Sequence, residues 1–318
     1  MKTKKPYSNR LVAATAGVFC VLASLAGCGS GEATSGLFEE DERLKVLALT
    51  TQIADAAQIV GGEGVQVVGM MRAGEDPHTY DPNPQDAMAM DEADLVLGNG
   101  LNLEAIIAKL VESRAADKTV YLAESGDITP LMDEGAESAP DPHCWMDPDN
   151  FKVYVEGIRD AMIEKDPANA EGYTARAEAY LKELDELDAW VREQFAEIPE
   201  AQRVVITGHD AFNYYGEAYG VEMHGLIGLT TEEQPTASDI MKLEKKIVDN
   251  GIKALFYETS VSATLNNLIT QMAEQTKIGV GGELFSDSLD EPGTEAGTYL
   301  GMMRYNTTTM VEALKGGG

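Results

Sequence analysis

The chain has 318 residues and carries 54 acidic against 24 basic side chains, a net charge of −30 that argues against nucleic acid as a partner. The acidic excess reads first as a solvated surface, and a field that draws cations is the functional alternative. A hydrophobic content of 44% over this length suffices for the cores of two lobes.

The first ten residues hold Lys2, Lys4, Lys5 and Arg10 with no acid, and the run LVAATAGVFCVLASLAG that follows is apolar and ends in small residues. Residues 1 to 27 therefore read as a secretory signal peptide, too short for a spanning helix. Its end, Leu25-Ala26-Gly27-Cys28, resembles the bacterial lipobox, in which the cysteine is acylated and becomes the new amino terminus. Cys28 is thus the expected lipidation site, and the body is expected to sit on the extracytoplasmic side, lipid-anchored to the cell membrane. An uncleaved anchor helix with a chance cysteine would leave it facing the same way. Cys20 leaves with the signal, so only Cys144 remains as a free thiol and no disulfide is expected. Residues 28 to 43, rich in Gly, Ser and acids without periodicity, read as a flexible tether.

From 44 to 165, apolar runs (VLALT, VQVVG, DLVLG, TVYLA) alternate with helical stretches such as IADAAQIVGG and LEAIIAKLVES, the pattern of a parallel sheet covered on both faces. Residues 166 to 199 place Tyr173, Ala177, Tyr180, Leu184, Leu187, Val191 and Ile198 mostly three or four apart, which predicts one amphipathic helix ending at Pro199. Thirty residues at a 1.5 Å rise make about 45 Å, enough to cross two lobes. From 200 to 318 the alternation resumes, with RVVIT, KALFY and IGVGG as strands. Helices are expected over 209–219, 236–250 and 260–275 and through GTYLGMMRYNTTTMVEAL. The expected fold is α/β: two lobes, each a parallel sheet flanked by helices, joined by one long helix.

Two of the four histidines occupy one context, GEDPHTYDP around His78 and DPHCWMDP around His143. Each follows a strand and precedes a helix opened by a cap and a proline, Asn83-Pro84 in one case and Asp147-Pro148 in the other. Ligands of α/β sheets collect on such loops, and the proline before each histidine restrains its backbone. A third histidine, His209, follows the strand RVVIT and is expected to begin a helix. Imidazole is the commonest metal ligand, and a cation site wants a carboxylate. After the last strand, Glu283, Asp287 and Asp290 all qualify.

These segments, together with VVITGHDAFNYYGEAYGVE, LFYETSVS and GGELFSDSLDEPGTEAGTYLGMM, resemble as a set the metal-binding group of ABC-transporter substrate-binding proteins, the TroA, ZnuA and PsaA type. The likeness covers nearly the whole mature chain and is closest to TroA-like proteins. It implies a metal held between the lobes by His78 and His143 from the first and by His209 and Asp287 from the second. It also places Glu258 beside the site, either orienting a ligand histidine or capping the next helix. Three imidazoles and a carboxylate suit zinc and accept manganese or ferrous iron. Family members that look dedicated to manganese tend to carry Glu where this chain has His209. Zinc-dedicated members often carry a histidine-rich loop where residues 125 to 141 here are acidic. Zinc is favoured, with manganese close behind.

Four further residues need a reading. Asp76 and Asp141 could accept an imidazole N–H or cap their own loops. His224 alternates with Glu222 on the polar face of a strand. Cys144 is expected in packing, although a thiol beside a ligand could join the coordination. The implied function is a monomeric transport receptor that delivers its metal to a membrane permease served by ATP-binding subunits, since the chain has no GxxxxGK[ST] of its own. A metallohydrolase would need an open coordination position and a general base, and no HExxH occurs. A surface adhesin is the other secondary reading. A single long helix between lobes predicts small tilts on binding rather than wide hinge closure.

Overall fold

The computed structural model describes residues 37–132 and 139–316; the expected signal, Cys28 and most of the tether lie outside the described residues. In the first lobe, β1 (Leu44–Ala48), β2 (Val65–Gly69), β3 (Leu95–Gly98) and β4 (Thr119–Tyr121) form a parallel sheet in the order β2-β1-β3-β4. α1 (Thr51–Gly61), α2 (Pro84–Glu92) and α3 (Ala108–Arg114) connect them, and α4 (Pro148–Lys165) follows. The central strands β1 and β3 are buried nearly throughout because helices cover both faces, which is why they read as unbroken apolar runs.

The second lobe repeats the plan. β5 (Val204–His209), β6 (Glu222–Ile227), β7 (Ala254–Glu258) and β8 (Gly279–Leu284) run parallel in the order β6-β5-β7-β8. Their helices are α6 (Asn213–Tyr219), α7 (Ala237–Asn250), α8 (Ala263–Thr276) and α9 (Tyr299–Gly316). In both sheets the chain steps out to an edge strand and then crosses back over the first strand. This reversal opens a crevice at the strands' carboxyl ends, where α/β proteins bind ligands.

Between the lobes runs α5 (Ala170–Ala196), which packs on α1 and α4 on one side and on α6 and α9 on the other. Its buried stripe is the predicted one from Tyr173 to Val191, completed by Phe195, whereas Ile198 lies past the helix end. The stripe belongs to one continuous core that takes in Val46 and Phe151 from the first lobe and Phe212 and Met310 from the second. α9 also reaches back to the first lobe: the Tyr299 ring stacks on Phe151 with centroids 3.6 Å apart, and Tyr299 N donates to Asp55 of α1 at 2.8 Å. Among the described residues, no helix is long and apolar enough to cross a membrane.

Two boundaries differ from expectation. The helix expected from Leu103 becomes α-helical only at Ala108, because Leu101 and Asn102 adopt positive φ (52° and 67°) and the Glu104 carboxylate turns back onto the backbone N–H groups of Asn99 and Gly100. His209 does not begin a helix: it closes β5, paired with Ile227 of β6, and α6 starts four residues later. At Gly225 of β6 a Cβ would lie 2.6 Å from the backbone of both His209 and Asp210, so only glycine permits this approach.

Candidate metal centre

The repeated tripeptide folds the same way twice. Asp76 Oδ1 accepts the backbone N–H of His78, and Asp141 Oδ1 that of His143, each at 2.9 Å. After each turn the expected cap forms, Asn83 Oδ1 accepting from Gln85 N at 2.8 Å and Asp147 Oδ1 from Asp149 N at 2.9 Å. His78 and His143 are thereby held over the carboxyl end of the first sheet. His209 reaches the same point from the end of β5, and Asp287 from the loop after β8.

The four side chains converge: one ligand atom from each of His78, His143, His209 and Asp287 lies within 4.8 Å of all the others. His78 Nε2 is 3.3 Å from His143 Nε2, while Asp287 stands between two imidazoles, 3.5 Å from His143 Nε2 and 3.2 Å from His209 Nε2. None of the four is more than 6% exposed. His209 Nε2 and Asp287 Oδ1 are buried without a hydrogen-bond partner among the described residues. A buried polar atom left without a partner costs about 1–3 kcal/mol, and a metal ion at the centre of the four, displacing any proton on the imidazole, would satisfy both atoms.

Carboxylates outside the four orient two of the rings. His143 Nδ1 lies 2.8 Å from Asp141 Oδ1, which leaves Nε2 as the free donor atom. Glu258, at the end of β7, accepts the His209 backbone N–H at 2.9 Å and brings Oε2 to 2.8 Å from His209 Nδ1, in a contact bent away from ideal hydrogen-bond geometry. The Glu258 carboxylate thus lies against His209 and caps no helix; Ser262 caps α8. Gly208 makes room for it, since a Cβ there would stand 3.0 Å from Glu258 Oε1. Ser260 donates to Asp287 Oδ2 at 3.3 Å.

The electrostatics follow from burial and from this carboxylate set. Burial, opposed by Asp287 and reinforced by His143 and His209, pulls His78 down to about 3. Burial also works against a charged His209, but Glu258 and Asp287 outweigh it and hold that imidazole well above its usual range. For Asp287, burial alone would raise the pKa, and His209, His143 and His78 together hold it well below the usual carboxylate range. The Asp287 carboxylate is therefore held ionised beside the imidazoles.

The other candidates fall outside the cluster. Glu283 is exposed on β8, and Asp290 sits half-buried beyond the turn. Asp76 holds backbone and hydroxyl groups rather than an imidazole. His224 lies on β6 with Nε2 2.8 Å from Glu222 Oε1. Cys144 is buried in the core, its Sγ–H donating to Tyr214 Oη at 3.2 Å, and burial pushes its thiol up to about 12. It takes no part in the cluster. We expect iodoacetamide at pH 8 to leave Cys144 unmodified in the folded protein and to label it fully in denaturant, as read by intact mass.

Sequence reasoning missed the polar chain behind His143. Asn99 Nδ2 donates to the carbonyl of Pro142 at 2.9 Å, and the buried Glu104 carboxylate in turn accepts the Asn99 backbone N–H at 2.6 Å. The only local signal was an Asn and a Glu in NGLNLE, directly after an apolar strand. Burial raises Glu104 to about 7, with the N–H groups of Asn99 and Gly100 opposing it. A folded-state pKa above the unfolded value means stability gained below the unfolded pKa and lost as pH rises through about 7. Metal-free protein should therefore lose on the order of 3 kcal/mol from this group between pH 4 and pH 8, a slope that Glu104→Gln removes in urea titrations across that range.

A family model described as "Zinc-uptake complex component A periplasmic" (ZnuA) matches residues 46–313. The manganese-binding lipoprotein MntA of Bacillus subtilis is 36% identical over 295 residues, covering 92% of this chain and 95% of that protein. The manganese ABC transporter substrate-binding lipoprotein PsaA of Streptococcus pneumoniae is 32% identical over 299 residues, covering 91% and 94%. Among solved structures, the periplasmic zinc-binding protein TroA of Treponema pallidum superposes with a TM-score of 0.81 at 32% identity, over 86% of this chain and 99% of that one. With sequence, fold and strand-end cluster in agreement, the chain belongs to the ZnuA family of ABC-transporter substrate-binding proteins.

Proposed function

We propose that this chain captures one divalent transition-metal ion, zinc ahead of manganese, on His78, His143, His209 and Asp287 and hands it to a membrane permease driven by separate ATP-binding subunits. The observation that carries the proposal is the buried meeting of three imidazoles and a carboxylate, with a polar atom on each of two side chains left without a hydrogen-bond partner among the described residues. Imidazole-rich donor sets favour zinc over manganese in raw affinity, whereas manganese prefers more oxygen ligands. Relatives named for manganese and a structural neighbour named for zinc make both ions reasonable cargo. Four protein donors close the site, which suits binding and release better than hydrolysis of a substrate. We further propose that the lipid on Cys28 keeps the receptor, as a monomer, beside its permease on the extracytoplasmic face.

Elemental analysis after reloading metal-free protein with equimolar zinc, manganese and ferrous iron should find close to one zinc per chain, with manganese bound when offered alone. Binding requires neutral imidazoles, so protons compete and affinity falls with acid. Competition titrations from pH 7.5 to 5.5 should show at least a tenfold loss of zinc affinity. A flat profile would rule out a three-histidine site.

A further inference from the structure

Each Asp-Pro-His turn carries one bond that the metal reading leaves unused. The aspartate spends one oxygen on its own histidine's backbone N–H, and its other oxygen accepts from the opposite lobe. Asp76 Oδ2 takes the hydroxyl of Thr231, in the loop between β6 and α7, as well as that of Thr79 at 2.8 Å. Asp141 Oδ2 takes Asn213 Nδ2, from the first residue of α6, at 3.0 Å. The same Asn213 amide also reaches the carbonyl of Asp210 at 3.2 Å, so it stands between the loop of His143 and the strand end of His209. Both first-lobe histidines are thus braced through an aspartate whose second oxygen accepts a hydrogen bond from the second lobe.

We propose that Thr231 and Asn213 are positioning residues, a pair of latches that make the posture of His78 and His143 conditional on contact between the lobes. The inference rests on the metal reading of the cluster. When the lobes are in contact, each aspartate is fixed at both oxygens and each histidine backbone is pinned. When they part, both aspartates lose a partner together and two of the four ligands loosen at once. Even a small tilt then changes the hold on the ion by acting on two ligand loops, with no need for a wide opening. Partners of a ligand's own partner act more weakly than the 10–100-fold typical of groups touching the ligand, so each latch is expected to change dissociation by about 3- to 10-fold.

The test uses the full chain loaded with zinc and chased with excess chelator, for wild type, Thr231→Val, Asn213→Ala, the double variant and Thr231→Ser. Each single removal should speed zinc dissociation by about 3- to 10-fold and the double by about 10- to 100-fold, while Thr231→Ser stays near wild type because it keeps the hydroxyl. Metal-free melting temperatures should change little, so the loss appears in the zinc-induced shift. Wild-type dissociation in the double variant overturns the latch, as does an equal fall of metal-free and zinc-loaded melting temperatures at unchanged dissociation. A wild-type chain that takes up no zinc overturns the metal reading itself, which separates the two failures.

Discussion

Asp287→Ala should abolish useful metal capture, lowering zinc affinity by about 100- to 1000-fold, because a four-donor zinc site worth about 10–16 kcal/mol loses roughly a quarter of its donors and its only carboxylate. Asp287 also separates His143 from His209, at 3.5 and 3.2 Å, so its removal leaves three imidazoles facing one another without a counter-charge. His209→Ala should come close behind, since it strands the buried Glu258 carboxylate as well. Metal content by elemental analysis, with affinity by competition against a calibrated chelator, reads both variants. Unchanged metal content in the two would sink the assignment, and a loss in Asp287→Ala alone would exclude His209 from the ligand set.

Phe151→Ala should cost about 3–5 kcal/mol of global stability, a large share of the 5–15 kcal/mol available to a typical domain. Phe151 is fully buried, stacks on Tyr299 of the other lobe and lies in the first turns of α4, just after the cap that ends the His143 loop. Urea titration of metal-free protein gives the loss directly. Added zinc should recover part of it, since an ion that binds only the folded state stabilises by mass action.

Much of the architecture was legible because its signals are local. Buried parallel strands read as unbroken apolar runs, and the α5 stripe fell on the spacing that puts Tyr173 to Val191 on one face. The repeated Asp-Pro-His likewise produces one turn twice, since Asx turns are fixed within three residues. Choosing among Glu283, Asp287 and Asp290 was beyond spacing. The choice depends on where β8 ends and on the burial of the loop after it, in which Asp287 is enclosed while Glu283 is exposed and Asp290 half-buried. The start of α3 differs from expectation because Glu104, a good helix former by type, serves instead as a buried acceptor for the backbone N–H groups of Asn99 and Gly100. Asn213 and Thr231 carry no local pattern at all; their partners lie 72 and 155 residues away.

The seat of Tyr299 has a consequence for how the chain comes to be folded. The ring of Phe151 and the carboxylate of Asp55 both receive their partner from the final helix. A chain emerging amino terminus first exposes the wall of its first lobe until the last twenty or so residues arrive to close it. The lobes are thus separate in outline but not in assembly: a polypeptide cut short before α9 should remain soft, protease-sensitive and unable to hold its histidines in place. The closing of the first lobe's wall therefore waits for the end of the chain.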